Sequence, residues 1–398
     1  MASHTSIHFE NTKIAFAYKS DFELTRDYRI FQLINQNWLV KFGTSTAMQM
    51  MQYGIKTPVA LGMRPTVYAT FCGGESLADS TKKIDKLYTY NVQSILDYGV
   101  EGKESEADFK RTEAAIRQAI LFAKDHAAVN IVCSKFTGLI PFSILEKLHK
   151  NEPLETTENK IYITAKQRIF DLAQLAYDNN VSLFVDAEES WIQQPLDDLC
   201  YELMLKFNKE KPIIYNTTQL YRKDRLAFLK NAIKQAQKDG IIYAVKLVRG
   251  AYMEKENQRA KQLLYESPIQ ENKNATDNAY NEALRFTINN INNTAICVAT
   301  HNEESSLLAT KLMDELNLPN HHPHIQFSQL FGMSDNISFN LAQAGYSTHK
   351  YLPYGPVKDV IPYLIRRAQE NTSVSGQMGR ELKLLKDEVK RRKLFFAI

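Results

Sequence analysis

Eight short apolar segments, rich in β-branched and aromatic residues, alternate along this chain with stretches that have the apolar spacing of helices. Strands that alternate with helices pair in parallel, and eight of them can close into a barrel. A chain of 398 residues with 44% hydrophobic residues can bury the core of such a fold. The sequence therefore predicts an α/β fold, a distorted (βα)8 TIM-like barrel. The predicted strands are 94–99, 130–136, 182–186, 212–218, 243–250, 296–302, 325–330 and 348–355.

The segment before the first strand has helical apolar spacing and is closed by Pro58 and Pro65. We therefore expect an N-terminal helical arm over residues 1–65, the barrel over 66–372 and a C-terminal helical tail over 373–398. Polar residues predict connectors at 151–160 and 265–276. The predicted apolar face of the arm contains Phe31, Leu33, Ile34, Trp38, Leu39 and Phe42.

Charge and cysteine content narrow the class of protein. The formal net charge is only +4, from 49 basic and 45 acidic residues, so no global field favours nucleic acid as a partner. The 4 cysteines are far apart, which argues against a disulfide framework and favours a reducing compartment. The start of the chain has no presequence character, so we expect a cytoplasmic protein.

The tail 381–398 combines basic residues with Leu382, Leu384, Leu385 and Val389. One interpretation is a segment that lies peripherally on the inner face of a membrane. The other is a terminal helix that docks on the barrel. The sequence leaves both open, although no apolar run approaches the roughly 18 residues that would span a bilayer.

Several common motifs are absent from the sequence. It contains no glycine-rich phosphate loop of the Rossmann or Walker type and no G-x-S-x-G serine motif. His321, His322 and His324 surround a proline in a connector, so we interpret them as surface residues and predict no metal site.

Polar residues stand at the ends of the predicted strands, where the loops of such a barrel assemble an active site. A charged group that follows a buried strand must be paired or functional, because leaving even a polar group unpaired there costs about 2–7 kcal/mol. The strand-end residues are Asp97, Lys135, Asp186, Glu188, Glu189, Gln219, Lys246, Arg249, Gly250, Thr300, His301, Asn302, Ser328, Gln329 and Tyr351.

A helix after the last strand has an unusual polar face. On a 3.6-residue turn Tyr363, Arg366, Arg367 and Glu370 share one side, opposite Ile361, Leu364, Ile365 and Ala368. Adjacent arginines are permanently charged and suit a carboxylate, although in isolation a solvated amphipathic helix is the better explanation of the stripe. Its place after the eighth strand favours an anion clamp at the barrel mouth.

Four motifs carry a resemblance that covers residues 71–371. They are FVDAEE at 184–189, VKLVRGAY at 245–252, ATHN at 299–302, and KYLPYG at 350–355 followed by PYLIRRAQEN at 362–371. With these motifs in this order, the chain resembles the proline dehydrogenase family, FAD-dependent (βα)8 barrels that oxidise L-proline. Lys246 and Arg249 are similar to the mitochondrial type, since bifunctional bacterial members have arginine and lysine in the reverse arrangement.

The resemblance implies a substrate site. Arg366 and Arg367 would hold the carboxylate of proline, with Lys135 as a third cation. Asp186 and Lys246 would lie beside the flavin ring and, with the two arginines, form the catalytic set. Glu75 would gate the site by pairing with Arg366. The pocket around the substrate ring would be formed by Leu247, Tyr252, Tyr351 and Tyr363.

The resemblance also implies an FAD site, in which Gly250 lets the backbone approach the cofactor and Arg249 and His301 neutralise pyrophosphate. Ser328 and Gln329 are left open as flavin contacts because their spacing departs from the bacterial pattern. The implied contacts are Asp186, Ala187, Gln219, Lys246, Val248, Arg249, Gly250, Ala251, Thr300, His301, Arg367 and Glu370.

The implied reaction is hydride transfer from C5 of proline to N5 of FAD, which gives Δ1-pyrroline-5-carboxylate, followed by electron transfer to a quinone. This is the first step of proline catabolism. No second enzyme module follows in the sequence, so we expect a separate pyrroline-5-carboxylate dehydrogenase as partner. Tyr351 favours proline over hydroxyproline because hydroxyproline dehydrogenases have a smaller serine there. The alternatives are a hydroxyproline dehydrogenase and a Schiff-base barrel aldolase that uses Lys246.

Overall fold

A computed structural model describes residues 7–36, 46, 49–50, 53, 56–99, 104–373 and 377–394, without the side chains of 56, 366–373, 377 and 378. Eight strands form a closed barrel in chain order, which confirms the predicted fold class. Each predicted segment overlaps one strand; the largest difference is at the sixth, predicted to residue 302 and ending at Ala299. The strands are β1 Val92–Tyr98, β2 Val129–Ser134, β3 Ser182–Val185, β4 Ile214–Gln219, β5 Tyr243–Val248, β6 Thr294–Ala299, β7 Ile325–Leu330 and β8 Thr348–Tyr354.

The chain divides into two compact units, one of residues 102–327 and one of residues 1–101 with 328–398. In the 102–327 unit, β2 to β6 pair in parallel, each with its neighbour in sequence. Short 3-10 turns lie at Phe136–Gly138, Ser190–Ile192 and Ile291–Asn293. The helices of this unit are Glu106–Lys124, Phe142–His149, Thr156–Asp178, Gln193–Phe207, Arg225–Asp239, Met253–Leu263, Lys273–Asn289 and Glu303–Glu315.

Both predicted connectors in this unit were wrong in part. The helix Thr156–Asp178 begins within 151–160, and Lys273–Asn289 begins within 265–276. Their polar residues are N-terminal caps: the Glu158 carboxylate accepts from the Glu155 N–H at 2.9 Å, and Asn272 Oδ1 accepts from the Ala275 N–H at 2.9 Å. Such residues satisfy N–H groups that have no partner within the helix.

In the other unit, β1 and β8 pair in parallel over their full length, from Val92 with Thr348 to Tyr98 with Tyr354. A π-helical turn, Arg64–Tyr68, precedes the short helix Ala69–Phe71. The remaining helices of this unit within the described residues are Thr12–Ala15, Asp21–Ile34, Lys56–Met63, Leu77–Tyr88, Asp335–Gln343, Val357–Ser373 and Gln377–Arg391.

The helix Asp21–Ile34 confirms helical structure in the predicted arm, but its apolar face differs from the prediction. Phe31 and Ile34 are buried, whereas Leu33 is 59% exposed. Trp38, Leu39 and Phe42 lie outside the described residues. The division into arm, barrel and tail stays a prediction.

The helix Gln377–Arg391 packs its apolar side inside the protein. Leu384, Leu385 and Val389 are buried in one cluster with Leu24 and Phe31 of the helix Asp21–Ile34. Beyond its end, Arg392 donates to the carbonyl oxygens of Phe16 and Lys19 at 2.7 and 2.8 Å. The docked interpretation of the tail is therefore confirmed for this helix. The membrane interpretation was wrong for these leucines and this valine, because they are already covered.

Candidate active site

Three charged side chains meet at the carboxyl ends of β2, β3 and β5. Lys135 directly follows β2, Asp186 directly follows β3, and Lys246 lies in β5. Lys246 Nζ forms an ion pair with Asp186 Oδ1, and Lys135 Nζ lies 3.9 Å from Asp186 Oδ2. The structure thus brings together the two residues predicted beside the flavin and the lysine predicted for the substrate carboxylate.

The protonation states of the pair follow from its surroundings. Burial opposes ionisation of Asp186, but the nearby ammonium groups of Lys246 and Lys135 lower its pKa to about 2. Burial likewise opposes the charged form of Lys246, but the Asp186 carboxylate raises its pKa above the usual value. At neutral pH both groups are therefore charged, and the three side chains carry one net positive charge.

Cys133 is a neighbour of this cluster that the sequence interpretation missed. Its thiol lies in β2 and donates to Asp186 Oδ1 at 3.0 Å. A signal was available, because Cys133 and Lys135 are two residues apart and side chains two apart on an extended segment share a face. All four cysteines, Cys72, Cys133, Cys200 and Cys297, are buried and form no disulfide bond with one another.

Arg249, just beyond β5, is held by several groups at once. Its Nε donates to Asp277 at 2.7 Å, its Nη1 to the Thr300 hydroxyl at 2.7 Å and its Nη2 to the Ser305 hydroxyl at 3.0 Å. The guanidinium carbon also lies 4.5 Å from the centre of the Tyr280 ring. These contacts join two predicted flavin residues, Arg249 and Thr300. They also add Asp277 and Ser305, which stand at no strand end.

Gly250 has a local reason to be glycine that differs from the sequence interpretation. Its φ is +132°, and a Cβ there would come within 2.4 Å of the Tyr221 ring. Any side chain would therefore clash with Tyr221 whether or not a cofactor is bound. Close approach of the backbone to FAD stays a prediction.

The other predicted residues of this unit differ in exposure. Gln219, Thr300 and Ala187 are buried, Val248, Tyr252 and His301 are half-buried, and Ala251 is exposed. Leu247 is fully buried and follows Lys246 in β5, so side-chain alternation places it on the opposite face of the strand. That position favours packing towards the helices, where the Tyr280 hydroxyl contacts the Leu247 carbonyl at 3.3 Å, over the predicted role in the pocket.

A second buried carboxyl lies two residues beyond Asp186. Burial and the neighbouring Glu189 carboxylate raise the pKa of Glu188 to about 8. Its oxygens accept from the Thr137 hydroxyl at 2.5 Å and from the Thr137 N–H at 3.3 Å. Glu188 is therefore largely protonated at neutral pH.

The predicted residues of the 1–101 and 328–398 unit are described separately. Tyr351 and Tyr363 are both buried, so Tyr363 does not lie on a solvated stripe. Glu75, the predicted gate, pairs with Arg64 at 2.8 Å. Gln329 Oε1 accepts from the Ser338 hydroxyl at 2.7 Å. The helix Val357–Ser373 is present, but the side chains of Arg366, Arg367 and Glu370 lie outside the description.

Two searches of the described residues returned nothing. Within the described ranges no three or more histidines, cysteines, aspartates or glutamates are grouped as metal ligands would be. Within the same ranges no helix has the length and apolar content needed to cross a membrane. His321, His322 and His324 lie in the connector between the helix Glu303–Glu315 and β7.

Comparisons with known proteins identify relatives. A family model described as Proline dehydrogenase matches residues 80–380. The chain is 32% identical to proline dehydrogenase 1, mitochondrial, of Dictyostelium discoideum, over 96% of this chain and 74% of that protein. It is 31% identical to hydroxyproline dehydrogenase of Xenopus laevis, over 95% of this chain and 88% of that protein.

Among solved structures, proline utilization A from Bdellovibrio bacteriovorus, inactivated by N-propargylglycine, has a TM-score of 0.71 at 21% identity. The similarity covers 91% of this chain and 38% of that one, so the chain spans little more than a third of that protein. At this level of identity the likeness supports the barrel fold.

Proposed function

Because the chain belongs to the proline dehydrogenase family, we propose that it oxidises L-proline to Δ1-pyrroline-5-carboxylate, the first step of proline catabolism. The observation that carries this proposal is the cluster of Lys135, Asp186 and Lys246 at the strand ends of the barrel. Catalytic groups of such barrels stand at this end of the strands. Two ammonium groups at such a place can attract an anionic substrate.

The residues present fit FAD as the cofactor. Lys246 is a buried ammonium that stays protonated, and such a cation beside a flavin stabilises the charge of the reduced ring. Arg249 and the half-buried His301 would lie along the phosphates, with Gln219, Thr300 and the backbone at 248–251 as further contacts. FAD, when bound, supplies an acceptor for the hydride that leaves C5 of proline.

The chain's own residues then bind and orient the substrate. Lys135 and Lys246 place two ammonium groups at these strand ends, and their charge attracts the carboxylate of proline. Asp186 fixes the position of Lys246 Nζ, because the ion pair and the Cys133 thiol hold its carboxylate in place. Little acid–base chemistry is needed, since orientation of the reacting carbon can supply much of the rate enhancement.

We further propose that Arg366 and Arg367 clamp the substrate carboxylate and that Glu75 gates the site. Glu75 has an exposed partner, Arg64, and its Oε2 lies 3.5 Å from the Val357 N–H at the start of the helix that carries both arginines. A surface ion pair of this kind contributes only about 0–1 kcal/mol to stability. Glu75 could therefore leave Arg64 and pair with Arg366 at little cost in free energy. Arg366→Met should raise the KM for proline while FAD stays bound.

The electron acceptor in this proposal is a quinone, and the product leaves for a separate pyrroline-5-carboxylate dehydrogenase. The Dictyostelium relative is named as a mitochondrial protein. For this chain a cytoplasmic location stays a prediction. Peripheral contact with a membrane also stays a prediction, and Leu384 and Leu385 of the helix Gln377–Arg391 do not support it because they are buried.

Two alternatives differ in their support. A hydroxyproline dehydrogenase agrees with the Xenopus relative, but the buried Tyr351 leaves less room for a hydroxyl group than serine would. A Schiff-base aldolase needs a neutral lysine with a lowered pKa, whereas Asp186 raises the pKa of Lys246. The protonation state of Lys246 therefore disfavours the aldolase.

The purified protein tests the proposal directly. We expect a yellow preparation whose flavin absorbance bleaches when proline is added without oxygen, and more slowly with hydroxyproline. A colourless protein that borohydride traps on a carbonyl substrate would instead support the aldolase. A yellow protein that hydroxyproline bleaches faster than proline would move the assignment to the hydroxyproline enzyme.

A further inference from the structure

Arg249, the cation proposed to lie along the phosphates of FAD, is held by groups from three separate elements. Thr300 directly follows β6, and Ser305 lies in the first turn of the next helix. Asp277 lies in the helix Lys273–Asn289. Each of these side chains accepts a hydrogen bond from a different nitrogen of the guanidinium. An arginine side chain alone has many rotamers, so these contacts select one orientation.

One face of the helix that carries Asp277 is turned towards Arg249. Asp277, Tyr280 and Asn281 are three or four residues apart, so they share this face. The Tyr280 ring centre lies 4.5 Å from the guanidinium carbon. Asn281 Oδ1 accepts from the Ser305 hydroxyl at 2.8 Å, and the oxygen of that hydroxyl accepts from Arg249. A single helix therefore supplies the carboxylate, the aromatic ring and the group that orients Ser305.

The main chain of Arg249 is fixed as well. Its carbonyl accepts from the Tyr221 N–H at 2.7 Å, and the neighbouring Val248 carbonyl accepts from the Leu220 N–H at 2.9 Å. Both bonds continue the pairing of β4 with β5 beyond the end of β4. The protein itself therefore fixes both the main chain and the side chain of Arg249.

The Arg249 guanidinium keeps donors for a ligand. A guanidinium has five N–H groups. Within the described residues, the contacts above use one N–H on each of its nitrogens, which leaves one on Nη1 and one on Nη2. The side chain is 22% exposed, so a ligand can reach it. Two such N–H groups suit the oxygens of a phosphate.

Asp277 is the anion among the groups that hold Arg249. Its Oδ1 accepts from Arg249 Nε at 2.7 Å, and its Oδ2 accepts from Lys273 Nζ at 2.5 Å. Burial opposes ionisation of Asp277, but the hydrogen bonds from Lys273 and Arg249 lower its pKa below the usual value. The carboxylate is therefore charged at neutral pH. Its bond to Nε is charge-assisted at both ends and stronger than the bonds to the two hydroxyl groups.

We propose that Asp277 is a positioning residue for the cofactor, which orients Arg249 so that the remaining N–H groups of the guanidinium meet the phosphates of FAD. This inference rests on the proposed function, in which Arg249 lies along those phosphates. A side chain that is oriented in advance loses less freedom on binding, and this favours affinity. The negative charge of Asp277 opposes the phosphates, so its orienting effect must be the larger of the two.

Release of FAD from the holoenzyme measures this effect, because flavin fluorescence rises when FAD leaves the protein. After dilution, Asp277→Ala should release FAD about tenfold faster than the native chain, since Arg249 loses its charged partner. Asp277→Asn should change the rate by less than about threefold, because the amide oxygen can still accept from Nε. The matched control is Glu282→Ala, which removes another carboxylate of the same helix, the partner of Lys230. That control should leave the release rate unchanged.

A double-mutant cycle separates positioning from a general loss of structure. Arg249→Met should itself speed the release of FAD. Adding Asp277→Ala to Arg249→Met should speed it no further, because the side chain that Asp277 orients is gone. A residue that only stabilises the fold would speed release by the same factor in both backgrounds.

Two results would overturn the proposal. One is release of FAD from Asp277→Ala at the native rate, and the other is an equal acceleration by Asp277→Ala with and without Arg249. Should Asp277→Ala fail to fold, Ser305→Ala decides the test on its own. It removes the acceptor of Nη2 and should speed release about threefold, and an unchanged rate would overturn the proposal.

These outcomes can be told apart from those of the proposed function. A protein that releases FAD in the expected pattern, but whose flavin proline does not reduce, would reject the proposed function and keep the role of Asp277. A flavin that proline reduces, and that Asp277→Ala releases at the native rate, would do the reverse. A protein that is purified without FAD would reject both.

Discussion

Two buried ionic clusters of this protein both pair lysines with aspartates and differ in exposure to solvent. In the 102–327 unit, Lys135 and Lys246 share one carboxylate, Asp186, whose side chain keeps 14% exposure. In the other unit, Lys19 and Lys350 share two carboxylates, Asp27 and Asp335. Lys350 and Asp335 in that second cluster are completely buried.

The second cluster satisfies its own charges. Lys19 Nζ lies 2.7 Å from Asp27 and 3.0 Å from Asp335, and Lys350 Nζ lies 2.8 Å from Asp335. The Tyr18 hydroxyl also donates to Asp335 at 2.9 Å. Arg26 also pairs with Asp27 at 2.8 Å, and the buried Glu381 lies near Asp335, so carboxyl groups of the protein itself surround the cations of this cluster.

The difference indicates how a structural cluster can be told from a functional one. Burial and ion pairing are common to both and do not separate them. What separates them is access to solvent, because the Asp186 side chain keeps 14% exposure whereas the Asp335 side chain has none. A structural cluster should lose stability when it is broken, and a functional one should lose activity.

The largest effect should come from Asp335→Asn. This change removes the carboxylate that Lys19 and Lys350 share, so both buried ammonium groups lose a counter-charge. Breaking buried ion pairs of this kind lowers the free energy of unfolding by about 3–5 kcal/mol. Urea unfolding followed by circular dichroism measures the loss. Glu282→Gln, which removes the surface partner of Lys230, is the control and should change stability by less than about 1 kcal/mol. If Asp335→Asn and Glu282→Gln lower the free energy of unfolding equally, the buried cluster stabilises the protein no more than a surface ion pair does.

Lys246→Met should act on activity more than on stability. Removing a charge positioned for the reaction typically lowers the rate about 10²- to 10³-fold. Anaerobic stopped-flow measurement of flavin reduction by proline gives the rate, and bound FAD is quantified from the spectrum. Lys230→Met, a surface lysine, is the control. If folded Lys246→Met reduces the flavin at the rate of the native chain, the cluster around Asp186 has a structural role rather than a catalytic one.

Glu381 should make the second cluster sensitive to pH. Burial and the charge of Asp335 raise its folded-state pKa from 4.5 to about 7. The folded protein therefore binds this proton more tightly, so its stabilising effect is complete below pH 4.5 and is lost as the pH rises through 7. Glu381→Gln should remove this loss and gain on the order of 2 kcal/mol relative to the native chain at alkaline pH.

Parallel urea unfolding of both proteins across the pH range tests this expectation. The Ser334 N–H bonds Glu381 Oε2 at 3.0 Å, and the glutamine carbonyl can accept the same bond. Curves for the two proteins that stay parallel from acid to alkaline pH would show that Glu381 does not titrate in this range.

The smallest effect should come from Tyr351→Ser, which changes selectivity. A smaller side chain gives room for a hydroxyl group, and a change of this kind alters discrimination by about tenfold. The ratio of kcat/KM for hydroxyproline and proline measures it. Tyr351→Phe keeps the ring and should keep the ratio. If serine also keeps it, Tyr351 does not determine the substrate.

The sequence predicted much of the barrel because burial patterns are local. All eight strands were found, since β-branched and aromatic runs between helical stretches can be read within a few residues. The helix starting at Thr156 was missed in part because its first turn is acidic, as a cap requires, and looked like a loop. Leu33 was predicted on the apolar face but is exposed, because residue spacing alone does not show which side of a helix packs against the rest of the protein.

The candidate site was predictable where it follows strand ends. Asp186 and Lys246 were found because the ends of parallel strands meet at one rim of a barrel. Asp277 was not found, although it bonds Arg249 at 2.7 Å, because 28 residues separate them in sequence.

By itself, the sequence determined the fold class, the family and the strand-end lysines and aspartate, because periodicity and motif spacing are properties of neighbouring residues. Tertiary structure alone decided which charged groups meet in each cluster, how deeply each cluster is buried and where the tail helix docks. These depend on distances between residues far apart in the chain. Electrostatic free energies follow those distances and the local burial, and neither quantity is written in the order of the residues.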